Sequence, residues 1–206
     1  MAKKGLRAVD GWKSKIWYKV VTPMMFGKSE IGEIVSDDPS KLLDRIMEMT
    51  LGDLTNDFSK QNTVLYFKIN EVAGDVASTK FIGHKTTRDY VRSLIKRKTS
   101  MIDAMVNVTT KDGYSLRIKG LCFTVKRARA SQIRAIRDIM VKMLAVRAPE
   151  LEFSQCIQEI VLGKMASDLY MATKKVYPIR RIEIIRTEIL EEPEFVIEST
   201  EEAVPA

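Results

Sequence analysis

The sequence predicts an α+β fold: a curled, mostly antiparallel, β-barrel-like sheet flanked by about four helices. Three observations lead there. Apolar and polar residues alternate through many short segments, the period of half-buried strands. Those segments succeed one another through tight turns instead of alternating with helices as βαβ units would. The stretch 131–147 differs, placing Ile133, Ile136, Met140, Met143 and Leu144 at the spacing of one helix face.

Taken in order, residues 1–14 hold Lys3, Lys4, Arg7 and Lys13 against Asp10 alone, the composition of a solvated basic arm. From Lys15 the chain is aromatic and β-branched up to Pro23, which predicts a strand with Met24, Met25 and Phe26 packing beyond it. Trp12, Trp17 and Tyr18 beside Lys13, Lys15 and Lys19 could stack on exposed bases, or Trp17 could be core. Ile31, Ile34 and Val35 suggest a short strand, Asp37-Asp38-Pro39-Ser40 a turn, and 45–51 a further strand. In 63–72, Leu65, Phe67 and Ile69 lie on one face with Tyr66 and Lys68 on the other, and Ala73-Gly74-Asp75 turns the chain into a strand over 77–84. Thr86 or Thr87 caps a helix over 88–95, with Tyr90, Val91, Leu94 and Ile95 as its buried stripe. Arg88, Arg92 and Lys96 fall on its other face, extended by Arg97 and Lys98.

A hairpin follows. Ile102, Ala104, Val106 and Val108 point one way, and Asp103, Asn107 and Thr109 the other. Lys111-Asp112-Gly113 is the turn, because glycine accepts the positive φ a hairpin demands. In the return limb Tyr114, Leu116 and Ile118 alternate with Ser115, Arg117 and Lys119. At Gly120 the apolar phase slips to Leu121, Phe123 and Val125, which predicts a β-bulge. Next come Lys126, Arg127 and Arg129, then a helix carrying Arg134 and Arg137, so the span from Lys126 to Arg137 has five positive charges and no acid. Pro149 ends that helix, and 153–162 and 164–174 read as two more, parted at Gly163. Lys174 and Lys175 precede a last strand over 179–190 bearing Arg180, Arg181 and Arg186. Residues 15–190 thus form one domain, and 191–206 a flexible acidic tail.

All 34 basic residues but only 21 of the 27 acidic ones lie in 1–190, so that part carries about +13, a field that attracts phosphate-rich partners. No run approaches the roughly 18 apolar residues of a membrane span, and the basic amino end lacks a signal-peptide core. Cys122 and Cys156 give no disulfide framework and imply a reducing compartment. A single histidine, His84, reads as a strand-end surface residue and supports neither a metal centre nor a nucleophile–base pair. No Walker loop or dinucleotide fingerprint occurs. We therefore expect no catalytic residue, metal, cofactor or small-molecule substrate. Lys119-Gly120-Leu121-Cys122-Phe123 half-matches an RNA-recognition strand motif, but Leu121 and Lys126 occupy the places of its stacking aromatics. Four basic clusters remain, at 3–19, 85–98, 126–137 and 174–181, the middle two dominated by arginine, whose planar fork grips phosphate. They predict contacts to the backbone of a folded RNA, provided the arginines are not consumed by carboxylates of the same chain.

Several of these stretches together resemble a known family, that of the archaeal and eukaryotic small-subunit ribosomal protein S-three-Ae, over residues of about 12 to 195. They are Trp17-Tyr18-Lys19-Val20 with Pro23-Met24-Met25-Phe26; Thr86-Thr87-Arg88-Asp89 with Ser93-Leu94-Ile95-Lys96; Thr110-Lys111-Asp112-Gly113-Tyr114-Ser115-Leu116-Arg117; Gln132-Ile133-Arg134; and Tyr177-Pro178-Ile179-Arg180-Arg181. The resemblance implies a cytoplasmic, non-enzymatic ribonucleoprotein constituent acting in translation, bound to small-subunit rRNA on the platform, near the messenger-RNA exit and the rRNA 3′ end. It also implies neighbouring small-subunit proteins and messenger RNA as partners, and no membrane. Without the basic extensions of eukaryotic members the chain looks like the archaeal form. The rival reading is a free-standing RNA-binding regulatory protein.

Overall fold

The structure is a computed structural model that describes Trp12 and residues 15–193. Its strands are β1 (Ile16–Val21), β2 (Glu30–Ser36), β3 (Ile46–Thr50), β4 (Thr63–Ala73), β5 (Val76–Thr86), β6 (Met101–Thr109), β7 (Ser115–Thr124) and β8 (Ile179–Glu191). Its helices are α1 (Leu51–Thr55), α2 (Arg88–Leu94), α3 (Ala130–Arg147), α4 (Phe153–Val161) and α5 (Lys164–Thr173). The strands make one eight-stranded sheet in the order β2-β1-β5-β8-β7-β6, with β4 also on β5 and β3 beyond it. Every pairing is antiparallel except the short one between β1 and β5. The architecture is the expected α+β, with a sheet that stays open instead of closing on itself.

β5 is where the two halves meet. β4 runs along one edge of it from end to end, while the other edge is shared by β1 at Val76–Ser78 and β8 at Gly83–Lys85. The second junction depends on Gly83. A Cβ there would stand 2.3 Å from the Thr187 carbonyl oxygen, so no other residue lets β8 lie this close. Two bulges flank the junction. Tyr66 pairs with Gly83 but Phe67 with Phe81, leaving Ile82 extra in β5; Lys119 pairs with Arg186 but Gly120 with Ile184, leaving Ile185 extra in β8.

Apolar alternation sorts the two faces. Ile102, Ala104, Val106 and Val108 of β6, Leu116, Ile118 and Cys122 of β7, and Ile182 and Ile184 of β8 face α3, α4 and α5 in one core with Ile136, Met140, Leu144, Phe153, Ile157 and Leu169. Phe26 stands edge-on to Phe67 at 5.5 Å within the same core. A smaller cluster of Tyr18, Val20, Leu42, Ile69 and Ala77 holds β1 to β4 and β5. Cys122 and Cys156 are buried and unbridged, and burial pushes their thiols up to about 12 and about 11.

Several local expectations are corrected. β7 does not slip at Gly120: its pairing with β6 is unbroken, and Leu121 and Phe123 are buried on the face opposite Cys122. A strand covered on both faces reads as a continuous apolar run, which mimics a phase change. The bulge exists, but the extra residue is Ile185 on the partner strand, and Val125 is exposed. Leu51 opens α1, a helix not expected, because the Thr50 hydroxyl accepts from the Asp53 N–H at 3.1 Å. The stripe on α2 is only half-buried, Ile95 lies beyond its end and is exposed, and the Thr87 side chain makes no capping bond. Trp17 is exposed rather than core. His84 is not at the surface; it is 2% exposed, because the extra residue Ile82 reverses the parity of the strand before it.

Candidate nucleic-acid interface

On the face of the sheet away from α3, α4 and α5, pairing register aligns cations from three strands. Lys85 of β5 stands opposite Arg186 of β8, which stands opposite Lys119 of β7, which stands opposite Met105 of β6. With strands about 4.8 Å apart, three like charges fall within about 10 Å of one another. Like charges directly opposite across a sheet repel one another, and Glu188, ion-paired with Arg186, offsets only part of this row. The next row holds Glu188, facing Arg117 and ion-paired with Arg186. Arg117 also donates from Nε to the Asn107 side-chain oxygen at 3.1 Å.

α2 forms the second wall. Between it and the row runs a groove of about 650 Å³ lined by Lys85, Arg88, Arg92, Arg117, Lys119 and Arg186, with Glu188 the one acid and Val91, Met105 and Ile185 as apolar floor. Six cations against one carboxylate in a concavity focus a positive potential.

The second cationic feature is the corner where β7 runs into α3. Its backbone is tied down: the Thr124 hydroxyl donates to the Lys126 carbonyl at 2.6 Å, the Ala128 N–H to the Ser100 hydroxyl at 3.0 Å, and the Tyr177 hydroxyl to the Arg127 carbonyl at 3.4 Å. The Gln132 side chain accepts from the Arg129 N–H at 3.0 Å and sets the start of α3. From this fixed corner Lys126, Arg127, Arg129 and Arg134 project into solvent with no ion-pair partner among the described residues.

The sequence-predicted residues therefore separate into groups. Lys3, Lys4, Arg7 and Lys13 lie outside the described residues. Arg88 and Arg92 line the groove, and Lys96, Arg97 and Lys98 form an exposed turn just past α2. Lys15 lies 4.4 Å over the Trp12 ring and Lys174 5.7 Å over the Tyr170 ring; Lys175 is exposed. Three arginines have internal partners. Arg137 donates from Nε to the Asp103 carbonyl at 2.8 Å and pairs with its carboxylate at 3.2 Å. Arg181 pairs with Glu183 at 2.6 Å and sits 5.6 Å from the Tyr90 ring centroid. Arg180 donates from Nη2 to the Leu94 carbonyl.

Sequence reasoning missed Lys85, Arg117, Lys119 and Arg186 as a set, because each looks like an ordinary outward residue of its own strand. Only strand register brings them together, and the available signal was that β5 and β7 carry outward cations near Gly83 and Gly120 while β8 carries Arg186. Among the described residues no group of three or more His, Cys, Asp or Glu could hold a metal, and no helix is long and apolar enough to cross a membrane.

Known proteins align along nearly the whole chain. The profile of the Ribosomal S3Ae family matches residues 3–193. The chain is 57% identical over 193 residues to the small ribosomal subunit protein eS1 of Methanothrix thermoacetophila, covering 94% of this chain and 92% of that one. It is 48% identical over 194 residues to the protein of that name from Methanothermobacter thermautotrophicus, covering 94% of this chain and all of the relative. The Archaeoglobus fulgidus counterpart is 48% identical over 193 residues, covering 93% and 92%.

Proposed function

The chain belongs to the ribosomal S3Ae family, and from that premise we propose that it holds small-subunit rRNA through the cationic groove and the β7–α3 corner. It is a structural component of the archaeal small ribosomal subunit in the cytoplasmic ribosome, not an enzyme, and its partners are rRNA and other ribosomal proteins. Residues 15–190 act as one RNA-binding domain, assisted by the basic arm, while like charge keeps the glutamate tail off the RNA. Its seat is the platform, close to the messenger-RNA exit and the rRNA 3′ end, where messenger RNA passes.

One observation carries this reading: Lys85, Arg186 and Lys119 stand side by side in a groove of six cations where Glu188 is the one carboxylate, and a sugar–phosphate backbone neutralises the charge that Glu188 leaves over. Such contacts fix position on a folded RNA without reading its sequence. The test is the salt dependence of binding to a small-subunit rRNA fragment. Lys85→Ala, Lys119→Ala and Arg186→Ala combined should flatten the slope of log affinity against log salt by about 2, at roughly 0.7–0.9 per phosphate contact. Arg127→Ala, Arg129→Ala and Arg134→Ala combined should do the same. Unchanged slopes in both triple variants would refute the placement. Co-sedimentation with small subunits after a moderate salt wash excludes the free-standing regulator.

A further inference from the structure

β8 carries the chain out on the face of the sheet that holds the cationic groove. The strand ends at Glu191, and Glu192 pairs with Lys80 of β5. Lys80 adjoins Phe81, whose ring is in the core, so it points to the opposite face, the one bearing Lys85, Arg186 and Lys119. The last ion pair of the described chain is therefore already made to a lysine of that face.

Length and charge both allow the chain to return. The 13 residues past Pro193 include Glu194, Glu198, Glu201 and Glu202 and no base. The groove holds six cations and one acid, and that acid, Glu188, is committed to Arg186. Pro193 lies beside Gly113, and from Gly113 to Lys119 is about 20 Å of strand at roughly 3.3 Å per residue. Thirteen residues reach about 45 Å when extended, so Glu198, Glu201 and Glu202 can come level with the cation row.

We propose that in the free chain residues 194–206 fold back into the groove, their glutamates facing Lys85, Arg88, Arg92, Arg117 and Lys119. Phe195, Val196 and Ile197 then pass over Leu190, which is exposed although apolar. Exposed ion pairs are individually weak, but the tether holds the carboxylates at high local concentration. The contact forms at low salt and yields to a longer polyanion, so the tail keeps the groove covered until phosphate replaces it. Occupation by the tail does not depend on the rRNA-binding reading; only its displacement by rRNA rests on that.

The test places a nitroxide on Ser199→Cys in the full chain. Cys122 and Cys156 are buried, so the new thiol alone takes the label. At low salt the amide signals of Val91, Arg92 and Met105, which line the groove, should be broadened. The broadening should vanish at about 1 M salt, where the screening length is about 3 Å, and on saturation with a small-subunit rRNA fragment. Glu194→Gln, Glu198→Gln, Glu201→Gln and Glu202→Gln combined should abolish it. The same four changes should make the unlabelled chain bind that fragment about three- to tenfold tighter at low salt, with no gain at high salt. The Lys85, Lys119 and Arg186 triple variant should also lose the broadening. Groove signals left sharp, broadening that survives loss of the four carboxylates, or broadening conveyed only from a labelled second copy overturns the proposal. Broadening that persists at saturating rRNA would keep the tail in the groove and refute the groove as the rRNA seat, so the two failures are told apart.

Discussion

His84 is the only side chain in the protein that could change charge near neutral pH in the unfolded state, and the fold holds it neutral. Its ordinary value is 6.5 and its folded value about 4, with burial the dominant cause and the Ile184 bond opposing it. Above pH 6.5 both states are neutral and the group costs nothing. As pH falls from 6.5 towards 4 the unfolded chain takes up a proton that the folded one refuses, so stability is lost across that window. The loss is about 2–3 kcal/mol by pH 4.5. Urea unfolding at pH 7 and at pH 4.5 checks this: His84→Gln should show a smaller fall in stability than the native chain by about that amount. An equal fall in both would mean that His84 is protonated in the fold. The same residue shows a limit of sequence reading. Counting by twos from Phe81 places His84 outward, and only the extra residue Ile82, invisible in composition, turns it in.

At the scale of elements, what was legible is what lies contiguous in the chain. The 131–147 helix, the Met101–Thr109 strand and the hairpin turn at Gly113 announce themselves through local periodicity and turn chemistry. So did the corner at Lys126, Arg127 and Arg129. The Lys85–Arg186–Lys119 row was not legible, since its members are far apart in sequence and meet only through pairing. The ion pairs of Arg137 and Arg181 were not legible either: their carboxylate partners Asp103 and Glu183 carry no local mark of the pairing. The row makes a prediction that separates stability from function. In the free protein Lys119→Gln removes a like-charge neighbour of Arg186 and should raise stability by about 0.2–1 kcal/mol, while the same change weakens rRNA binding. Thermal unfolding of the isolated chain reads the first effect, and a drop in stability would show that the cations are not in conflict.

For the molecule as a whole, the net charge of +7 conceals a division: the part through residue 190 holds about +13 and the glutamates follow it. The described end of the chain is still attached to the fold, since β8 runs through Glu191 and Glu192 pairs with Lys80. The sheet is open, so β6 pairs with β7 on one side only. On this strand the Arg137 guanidinium, which the sequence suggested for RNA, occupies the Asp103 backbone carbonyl as well as its carboxylate. A main-chain acceptor covered in this way is a poorer target for an N–H from a stray strand. Arg137→Ala should therefore leave the salt slope of RNA binding almost unchanged, yet give a chain whose light scattering grows with concentration. Such scattering would mark the contact between Arg137 and Asp103 as what shields the unpaired side of β6 from self-adhesion.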